Sequence, residues 1–275
     1  MLADQIQYFK VTQYFFFKQW SELKHYANQK GIKIIGDMPI YVAADSVEVW
    51  TKPELFQLDK ERNPLFVAGV PADQFSATGQ LWGNPLYDWE EHKKQGYAWW
   101  IHRIEESFKI YDVLRIDHFK GFSDYWQVDG KADIAKYGSW QPGPGYDLFK
   151  AVKEQLGDLP IIAEDLGNID DKARKLLADC NYPGMKILQF GFEDVSGKSL
   201  DSPHYCIPHS IVYTGTHDND VTNGWYNGLT EQQQQYINDY THRSEDESIC
   251  QAMIRQLFAA VSNTAIATMQ DVLDL

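Results

Sequence analysis

Three acidic residues stand where three separate apolar runs end. Asp117 closes the run VLRID, Glu164 follows PIIA, and Asp218 lies at the end of SIVYTGTHD. If these side chains face one opening, two of the carboxyl groups can flank a glycosidic bond. In a retaining mechanism one carboxylate attacks C1 and the other, roughly 5–5.5 Å away, protonates the leaving oxygen. The three residues are therefore candidates for catalysis on sugars.

The residues around two of these acids suggest different protonation states. Arg115 lies two residues before Asp117, so both side chains share one face of a strand, and the permanent charge of Arg115 favours an ionised Asp117. The apolar run before Glu164 predicts a desolvated carboxyl group with a raised pKa. Asp165 points to the other face and is interpreted as structural. For His118, beside Asp117, a supporting hydrogen bond is favoured over proton transfer.

Two other interpretations of these residues stay open. Acidic residues are common at strand ends without any catalytic role, and His118, His217 and nearby carboxylates could instead ligate a divalent metal. The sequence has no HxH or HExxH spacing, so no metal site is predicted. It also has no Gly-x-Ser-x-Gly motif, and a serine hydrolase has no support.

The segment FSATGQLWGNPLYDW, from Phe75 to Trp89, is rich in aromatic and amide side chains. Aromatic residues make up 14% of the chain, so many rings must lie near the surface, where they can stack on sugar faces. The segment predicts a stacking wall that includes Trp82, Tyr87 and Trp89. The alternative is a small satellite core beneath a loop.

The elements that must position these residues alternate along the chain. A long helix is predicted from Ala3 to Lys30, followed by the strand run Ile32–Asp37 and by five further apolar runs. Helical patterns lie at Tyr97–Tyr111, Tyr146–Leu156, Asp170–Cys180 and Glu247–Ser262. Strands that alternate with helices predict a parallel sheet. Because most strand candidates end in polar residues, a (β/α)8 barrel is favoured over a doubly wound sheet.

Only six strand candidates can be counted, and two segments break the alternation. Residues 43–96 and 119–145 are rich in Gly, Pro, Asp and aromatic residues and are too long for ordinary loops. They are predicted to form insertions at the barrel rim that shape a cleft. The chain is therefore interpreted as one domain over residues 1–275, with elaborate rim loops and an incomplete barrel.

Composition and charge exclude several classes of partner. The 275 residues carry a formal net charge of −14, whereas nucleic acids and anionic membranes attract clustered Lys and Arg. The N-terminus MLADQIQYFK lacks a signal-peptide pattern, and no run of about 18 apolar residues occurs. Cys180, Cys206 and Cys250 have no metal or CxxC spacing. They are expected to be reduced thiols of a cytoplasmic protein.

Five sequence blocks together resemble a known family. GDMPIYVAADSVEVW, GVPADQFSATGQLWGNPLYDW, RIDHFKGF, IIAEDLG and YTGTHDND, in this order, are similar to 4-alpha-glucanotransferases, the amylomaltase family of glycoside hydrolase family 77 in the α-amylase clan. The separations of 47 residues from Asp117 to Glu164 and 54 from Glu164 to Asp218 make chance matching improbable. The resemblance implies no cofactor, and its substrates would be maltooligosaccharides derived from starch or glycogen.

Position by position, the resemblance implies a role for each site residue. Asp117 would be the nucleophile, Glu164 the acid/base and Asp218 the stabiliser of the transition state. Asp37, Arg115 and His217 would complete the pocket of the donor sugar. The covering loop would contribute Asp73, Phe75, Gln80 and Trp82, and Phe190 would border the acceptor side.

The chain departs from the family pattern in two ways. Lys120 replaces a usual Arg and Ala72 a usual Pro, which predicts altered detail and unchanged chemistry. The chain also resembles only strands three to eight of the family barrel and is expected to be an internal fragment. Glucan transfer is the leading hypothesis. The alternatives are a catalytically silent glucan-binding fragment and an amylase-like hydrolase.

Overall fold

The computed structural model describes residues 2–72, 76–167 and 169–275 as α-helices, β-strands and connecting segments. The strands of these residues are β1 (Ile35–Met38), β2 (Phe66–Val70), β3 (Gln80–Pro85), β4 (Val113–Ile116), β5 (Asp124–Asp129), β6 (Gly138–Pro142), β7 (Ile161–Ala163), β8 (Gly184–Ile187), β9 (Ser210–Tyr213) and β10 (Thr264–Ile266).

The α-helices of the same residues are α1 (Leu2–Gln29), α2 (Val47–Thr51), α3 (Trp89–Lys94), α4 (Ala98–Ile110), α5 (Tyr146–Leu156), α6 (Asp171–Cys180), α7 (Leu188–Glu193), α8 (Thr222–Gly228), α9 (Glu231–Thr241), α10 (Ile249–Ala259) and α11 (Met269–Val272). Short 3-10 helices cover Pro53–Leu55, Phe119–Phe122 and Pro203–Tyr205. None of the described helices is both long enough and apolar enough to cross a membrane.

The chain divides into two compact units. The first contains the residues up to Glu164 together with Ile169–Asn181, and the second contains Asp165–Asn168 and Tyr182–Leu275. Each unit has a three-stranded parallel sheet, in the order β1-β4-β7 in the first and β10-β9-β8 in the second. These six strands coincide with the six candidates that the sequence predicted.

The first parallel sheet brings chemically useful residues into one register. Asp37 of β1 pairs with Arg115 of β4, and Arg115 pairs in turn with Ile162 of β7. Leu114 and Ile116 on β4 are fully buried, which anchors the strand in the core. Because parallel strands end at the same edge, the residues that follow β4 and β7 emerge side by side.

The second unit packs its helices on its own sheet. The core beneath this sheet consists of buried apolar side chains from α7, β9, α9 and α10, including Phe192, Val212, Ile237 and Met253. Helices α9 and α10 both begin with a capping box, formed by Thr230 with Gln233 and by Ser248 with Gln251. These caps satisfy backbone donors at the first turn of each helix.

Both insertions contribute to one antiparallel sheet in the first unit. Its strand order is β3-β2-β5-β6, so β2 and β3 from residues 43–96 pair with β5 and β6 from residues 119–145. The two central strands meet between Phe66–Gly69 and Trp126–Asp129. Val67, Val128 and Ala135 form a small buried core on this sheet. The two segments predicted as separate loops are thus joined by strand pairing.

Most predicted helices are confirmed within a residue or two at their ends. The run Gly184–Phe192 was wrong as a continuous strand, since β8 ends at Ile187 and α7 begins at Leu188. A short run that is apolar on every side fits a buried strand and a buried helix equally well. Phe190 therefore lies on α7 and not at the end of a strand.

Helix α1 is present as predicted, but its apolar stripe is not covered by the described residues. No residue of α1 is buried, and Phe9 is 64% exposed. The C-terminal half is attached to the unit by polar contacts. The Trp20 indole donates to the Ile110 carbonyl at 2.8 Å, and Lys24 Nζ donates to the Tyr111 carbonyl at 2.8 Å.

Candidate active site

The buried guanidinium group of Arg115 contacts three acidic residues of the first unit. Arg115, whose side chain is 7% exposed, donates through Nη1 to both carboxylate oxygens of Asp37, at 2.7 and 2.6 Å. The same nitrogen donates to Asp117 Oδ1 at 3.1 Å, as expected for two residues on one strand face. Nη2 lies 3.0 Å from Glu164 Oε2 without hydrogen-bond alignment, so this contact is an ion pair.

These contacts hold Arg115 in its charged form. Burial lowers its pKa, but the hydrogen bond to Asp37 and the charges of Glu164, Asp37 and Asp117 outweigh burial and raise the pKa above its ordinary value. Asp37, Asp117 and Glu164, predicted from different parts of the sequence, therefore lie around one cation, Arg115.

The backbone of Asp117 is held by a hydrogen bond, while its side chain remains accessible to solvent. Its N–H donates to the Met38 carbonyl at the end of β1, at 3.0 Å. The side chain is 36% exposed. A carboxylate that is held by Arg115 and still open to solvent can attack an electrophilic carbon.

Glu164 occupies a more enclosed position, with its side chain 18% exposed. Burial and, to a smaller extent, the hydrogen bond with the Asp117 carboxyl together raise the pKa of this carboxyl group to about 8, against the opposing effects of the His118 N–H and Arg115. The direction agrees with the sequence prediction. Near neutral pH the site therefore holds a protonated Glu164 beside Asp117.

The main chain of His118 supplies a contact that the sequence did not reveal. Its N–H donates to Glu164 Oε2 at 2.7 Å, and the residue has the left-handed backbone conformation, with φ 46°. The supporting hydrogen bond expected of His118 thus comes from its backbone. The imidazole contacts the Trp82 ring edge to face, with centroids 4.8 Å apart, and burial lowers its pKa to about 4. A non-glycine residue at positive φ gives no reliable sequence signal.

Only part of the predicted covering loop can be described. Asp73 and Phe75 lie outside the described residues. Gln80 and Trp82 lie on β3, where the Trp82 indole donates to Gln80 Oε1 at 3.2 Å. Trp82 is 36% exposed and also lies near Tyr41, at a centroid distance of 6.1 Å. Trp82 is therefore a partly exposed ring near the carboxyl pair.

The other two rings of the predicted stacking wall pack against neighbouring rings, with Tyr87 buried and Trp89 half-buried. Tyr87 is 1% exposed and its hydroxyl donates to the Ile40 carbonyl at 2.7 Å. Trp89 stacks on Trp100 at a centroid distance of 6.0 Å. His92, buried among these rings, has its pKa lowered to about 4 by burial. This part of the segment is the satellite core that was the alternative.

The remaining predicted residues lie in the second unit. His217 and Asp218 follow β9, with His217 Nε2 3.4 Å from Asp218 Oδ2 and both side chains mostly exposed. Phe190 on α7 is half-buried, and its carbonyl accepts from Ser199 Oγ at 3.4 Å. Asp165, interpreted as structural, accepts from the Met185 N–H at 2.6 Å.

The histidines considered as metal ligands do not form a ligand cluster among the described residues. In that part of the chain, the only group of His, Cys, Asp and Glu residues with suitable spacing is His102, Glu105 and Glu106, which are all exposed on α4. Exposed acidic groups of this kind are common without an ion.

Comparison with known proteins gives the family. The family model described as 4-alpha-glucanotransferase matches residues 1–275. The chain belongs to the 4-alpha-glucanotransferase family. A 4-alpha-glucanotransferase of Streptococcus pneumoniae is 54% identical over all 275 residues, which cover 54% of that protein. The Clostridium butyricum enzyme is 47% identical, with 56% of its length covered. The chain spans about half the length of the curated relatives it matches.

A solved structure supports the fold of this family member. The amylomaltase from Streptococcus agalactiae, determined in complex with acarbose, is 59% identical and superposes with a TM-score of 0.97 over 99% of this chain and 55% of that one. An amylomaltase from Corynebacterium glutamicum, 17% identical with a TM-score of 0.65, shares the fold over 87% of this chain and 33% of its own. The predicted α/β class and partial family barrel are confirmed.

Proposed function

We propose that this chain carries the carboxylate pair of a 4-alpha-glucanotransferase, which transfers α-1,4-glucan segments between maltooligosaccharides. The observation that carries the proposal is the convergence of Asp117 and Glu164 on Arg115, together with a raised pKa at Glu164. Family membership supports the same reaction. Two carboxyl groups in different protonation states are what retaining glycosyl transfer needs.

In the first step, the Asp117 carboxylate attacks C1 of the donor sugar. The bond from C1 to the glycosidic oxygen breaks, and that oxygen takes the proton of Glu164. The products are a glucosyl ester on Asp117 and a shortened glucan with a free 4-hydroxyl group. Glu164 becomes ionised, and the nearby guanidinium of Arg115 stabilises it.

In the second step, Glu164 removes the proton from the 4-hydroxyl group of an acceptor glucan. The acceptor oxygen attacks C1, the ester bond breaks, and Asp117 is released as a carboxylate. Two inversions at C1 retain the α configuration. Transfer exceeds hydrolysis when the acceptor and the covering loop exclude water.

The other predicted residues receive proposed roles in this cycle. We assign Asp218 to stabilisation of the transition state and Asp37, Arg115 and His217 to the pocket of the donor sugar. The covering loop would bind the glucan through the side chains of Asp73, Phe75, Gln80 and Trp82. Phe190 would border the acceptor.

The substrates would be maltooligosaccharides and longer α-glucans from starch or glycogen, and no cofactor or metal takes part in the proposed steps. The complex of the Streptococcus agalactiae amylomaltase with acarbose supports glucan binding by this family member.

Full activity in EDTA is expected, and loss of activity would favour metal-dependent hydrolysis.

The proposal includes a domain and a location. Residues 1–275 would form part of one catalytic domain, with insertions at about 43–96 and 119–145 as its rim subdomains. We also propose a cytoplasmic location, which the three unpaired cysteines support. Fractionation of cells that express a tagged chain tests this point.

Maltotriose tests the activity. A chimera in which this chain replaces the matching segment of the Streptococcus pneumoniae relative is incubated with maltotriose beside the 275-residue chain. Glucose together with a ladder of longer oligomers is expected from the chimera. Hydrolysis products alone would favour an amylase-like hydrolase. Glucan binding without turnover, unchanged in an Asp117→Ala variant, would favour a silent glucan-binding fragment.

A further inference from the structure

Lys120 lies three residues after Asp117 and is held between two side chains. Its Nζ lies 2.9 Å from Asp170 Oδ2 and 4.9 Å from the centre of the Trp140 ring. The Lys120 side chain is only 12% exposed. An ammonium group in this setting is screened less by solvent than one on an open surface, and it has two preferred contacts that fix its position.

Asp170 lies six residues after Glu164, and its two carboxylate oxygens have different partners. Its Oδ1 accepts from the Ala173 N–H at 2.9 Å and caps α6, while Oδ2 accepts from Lys120. The carboxylate thus links the start of a helix to the segment that follows the proposed nucleophile. The capping bond also orients the carboxylate, so that the second oxygen faces Lys120.

The two acid-bearing segments are joined by the pairing of β4 with β7, which ends with a hydrogen bond from the Glu164 N–H to the Ile116 carbonyl at 3.0 Å, and by further contacts beyond it. Close to the acids, the Phe119 N–H donates to the Glu164 carbonyl at 3.1 Å, next to the bond from the His118 N–H to the carboxyl group. Farther along both segments, Lys120 is paired with Asp170. The ion pair thus adds a side-chain contact beyond these backbone hydrogen bonds and restrains the relative orientation of the two segments where they leave the sheet.

We propose that Lys120 and Asp170 are positioning residues, whose ion pair fixes the spacing between the Asp117 and Glu164 carboxyl groups. This inference rests on the proposed function, because the spacing matters for a two-carboxylate reaction. Misplacement of a reacting group by about 1 Å can cost roughly 100-fold in rate. Neither positioning residue takes part in the chemical steps.

The Lys120–Asp170 ion pair can be broken while the packing against Trp140 and the N-cap of α6 are kept. Lys120→Met keeps a long side chain against Trp140 and removes the charge. Asp170→Asn keeps a good N-cap for α6, since Asn and Asp cap equally well, and removes the ion pair. Lys120→Arg restores a cation that can both stack and pair. Lys172→Met is the matched control, because it breaks a neighbouring ion pair, Lys172 with Asp124 at 3.3 Å, that includes neither Lys120 nor Asp170.

The pKa of Glu164 depends on the spacing between the Asp117 and Glu164 carboxyl groups, and it can be measured even if the chain has no enzymatic activity. The carboxyl group faces Asp117, Arg115 and the His118 N–H, and the contact with Asp117 contributes to its raised pKa. Looser segments place the acids farther apart, so Lys120→Met and Asp170→Asn should lower the pKa of Glu164 toward its ordinary value. We expect Lys120→Arg and Lys172→Met to leave it unchanged. Carbon-13 NMR of labelled carboxyl groups in the 275-residue chain measures these values.

Kinetics of the chimera provide the second readout. Lys120→Met and Asp170→Asn should each lower kcat for maltotriose by about tenfold or more with little change in KM, and the double variant should be no worse than either single variant. If the parent chimera is inactive, the result counts against the proposed function and not against the positioning role. The NMR titration still tests the role of the Lys120–Asp170 ion pair in that case. Lowered thermal stability with unchanged Glu164 titration and kcat, or additive losses in the double variant, would overturn the inference.

Discussion

At the residue scale, one buried cation, Arg115, interacts with three carboxyl groups. Asp37 and Asp117 hydrogen-bond to Arg115, and Glu164 lies at ion-pair distance from it. One positive charge cannot compensate three negative charges in a partly desolvated site. Glu164 is the least exposed of the three acids, so it retains the proton. The proposed division into acid and nucleophile follows from this shortage of positive charge.

This argument predicts the effect of Asp117→Asn. The variant removes the proposed nucleophile, and transfer by the chimera should fall by roughly 10³-fold or more. It also removes a charge that raises the pKa of Glu164, so that pKa should fall. Initial rates with maltotriose and carboxyl NMR measure the two effects. Retention of a tenth of the parent rate would exclude Asp117 as the nucleophile.

A second prediction concerns stability against pH. The pKa of Glu164 rises from 4.5 to about 8 on folding, so between these values the folded chain holds a proton that the unfolded chain has lost. The free energy of unfolding therefore decreases with rising pH across this window, by at most about 1.4 kcal/mol per pH unit from this group. Glu164→Gln should remove that decrease.

Urea unfolding of the 275-residue chain between pH 4 and pH 9 measures this contribution. The stability of Glu164→Gln relative to the parent should increase from about pH 4.5 to pH 8 and then level off. Glu61→Gln, at an exposed position, is the control. A relative stability that stays constant with pH would show that Glu164 titrates normally.

At the element scale, close packing places β1 beneath α4. Gly36 precedes Asp37, and a Cβ atom at this position would overlap the ring of Tyr111. Gly36→Ala should therefore destabilise the chain by roughly 1–3 kcal/mol through overpacking. Urea unfolding measures the loss. Gly228→Ala, where the added methyl group meets open space, should be nearly neutral. A smaller side chain in the double variant Gly36→Ala, Tyr111→Ala should recover part of the difference.

The elements that the sequence predicted well are those with local patterns. Helix α5 was predicted with its observed ends, and the common face of Arg115 and Asp117 followed from strand geometry alone. Features that depend on distant partners were not predictable. Tyr87 packs against rings such as Tyr41 and Phe56, which precede it by 46 and 31 residues. The backbone of His118 donates to Glu164, which lies 46 residues later.

At the scale of the whole molecule, net charge and exposed aromatic residues act on solubility together. The chain carries a charge of −14 near neutral pH and has a calculated isoelectric point of about 4.9. Near that pH charge repulsion is lost, while α1 exposes large apolar side chains such as Phe9, Phe16 and Phe17. We therefore expect solubility to be lowest near pH 5.

Light scattering as a function of pH measures this behaviour. Replacement of Phe9, Phe16 and Phe17 by Ser should reduce scattering near pH 5 with little effect at pH 8. Replacement of Phe258, which is 70% exposed outside α1, should have a smaller effect than replacement of Phe9 alone, and these two single changes form the comparison. Equal effects of the two replacements would show that α1 does not dominate association.

The antiparallel sheet shared by the two insertions has a consequence for recombination between family members. β2 and β3 enter the chain before the proposed nucleophile and β5 and β6 after it, yet β2 pairs with β5 along four residues. An exchange of one insertion alone would set strands from different parents against each other and disturb the position of Trp82. The two insertions should therefore be exchanged together when segments are transferred between relatives.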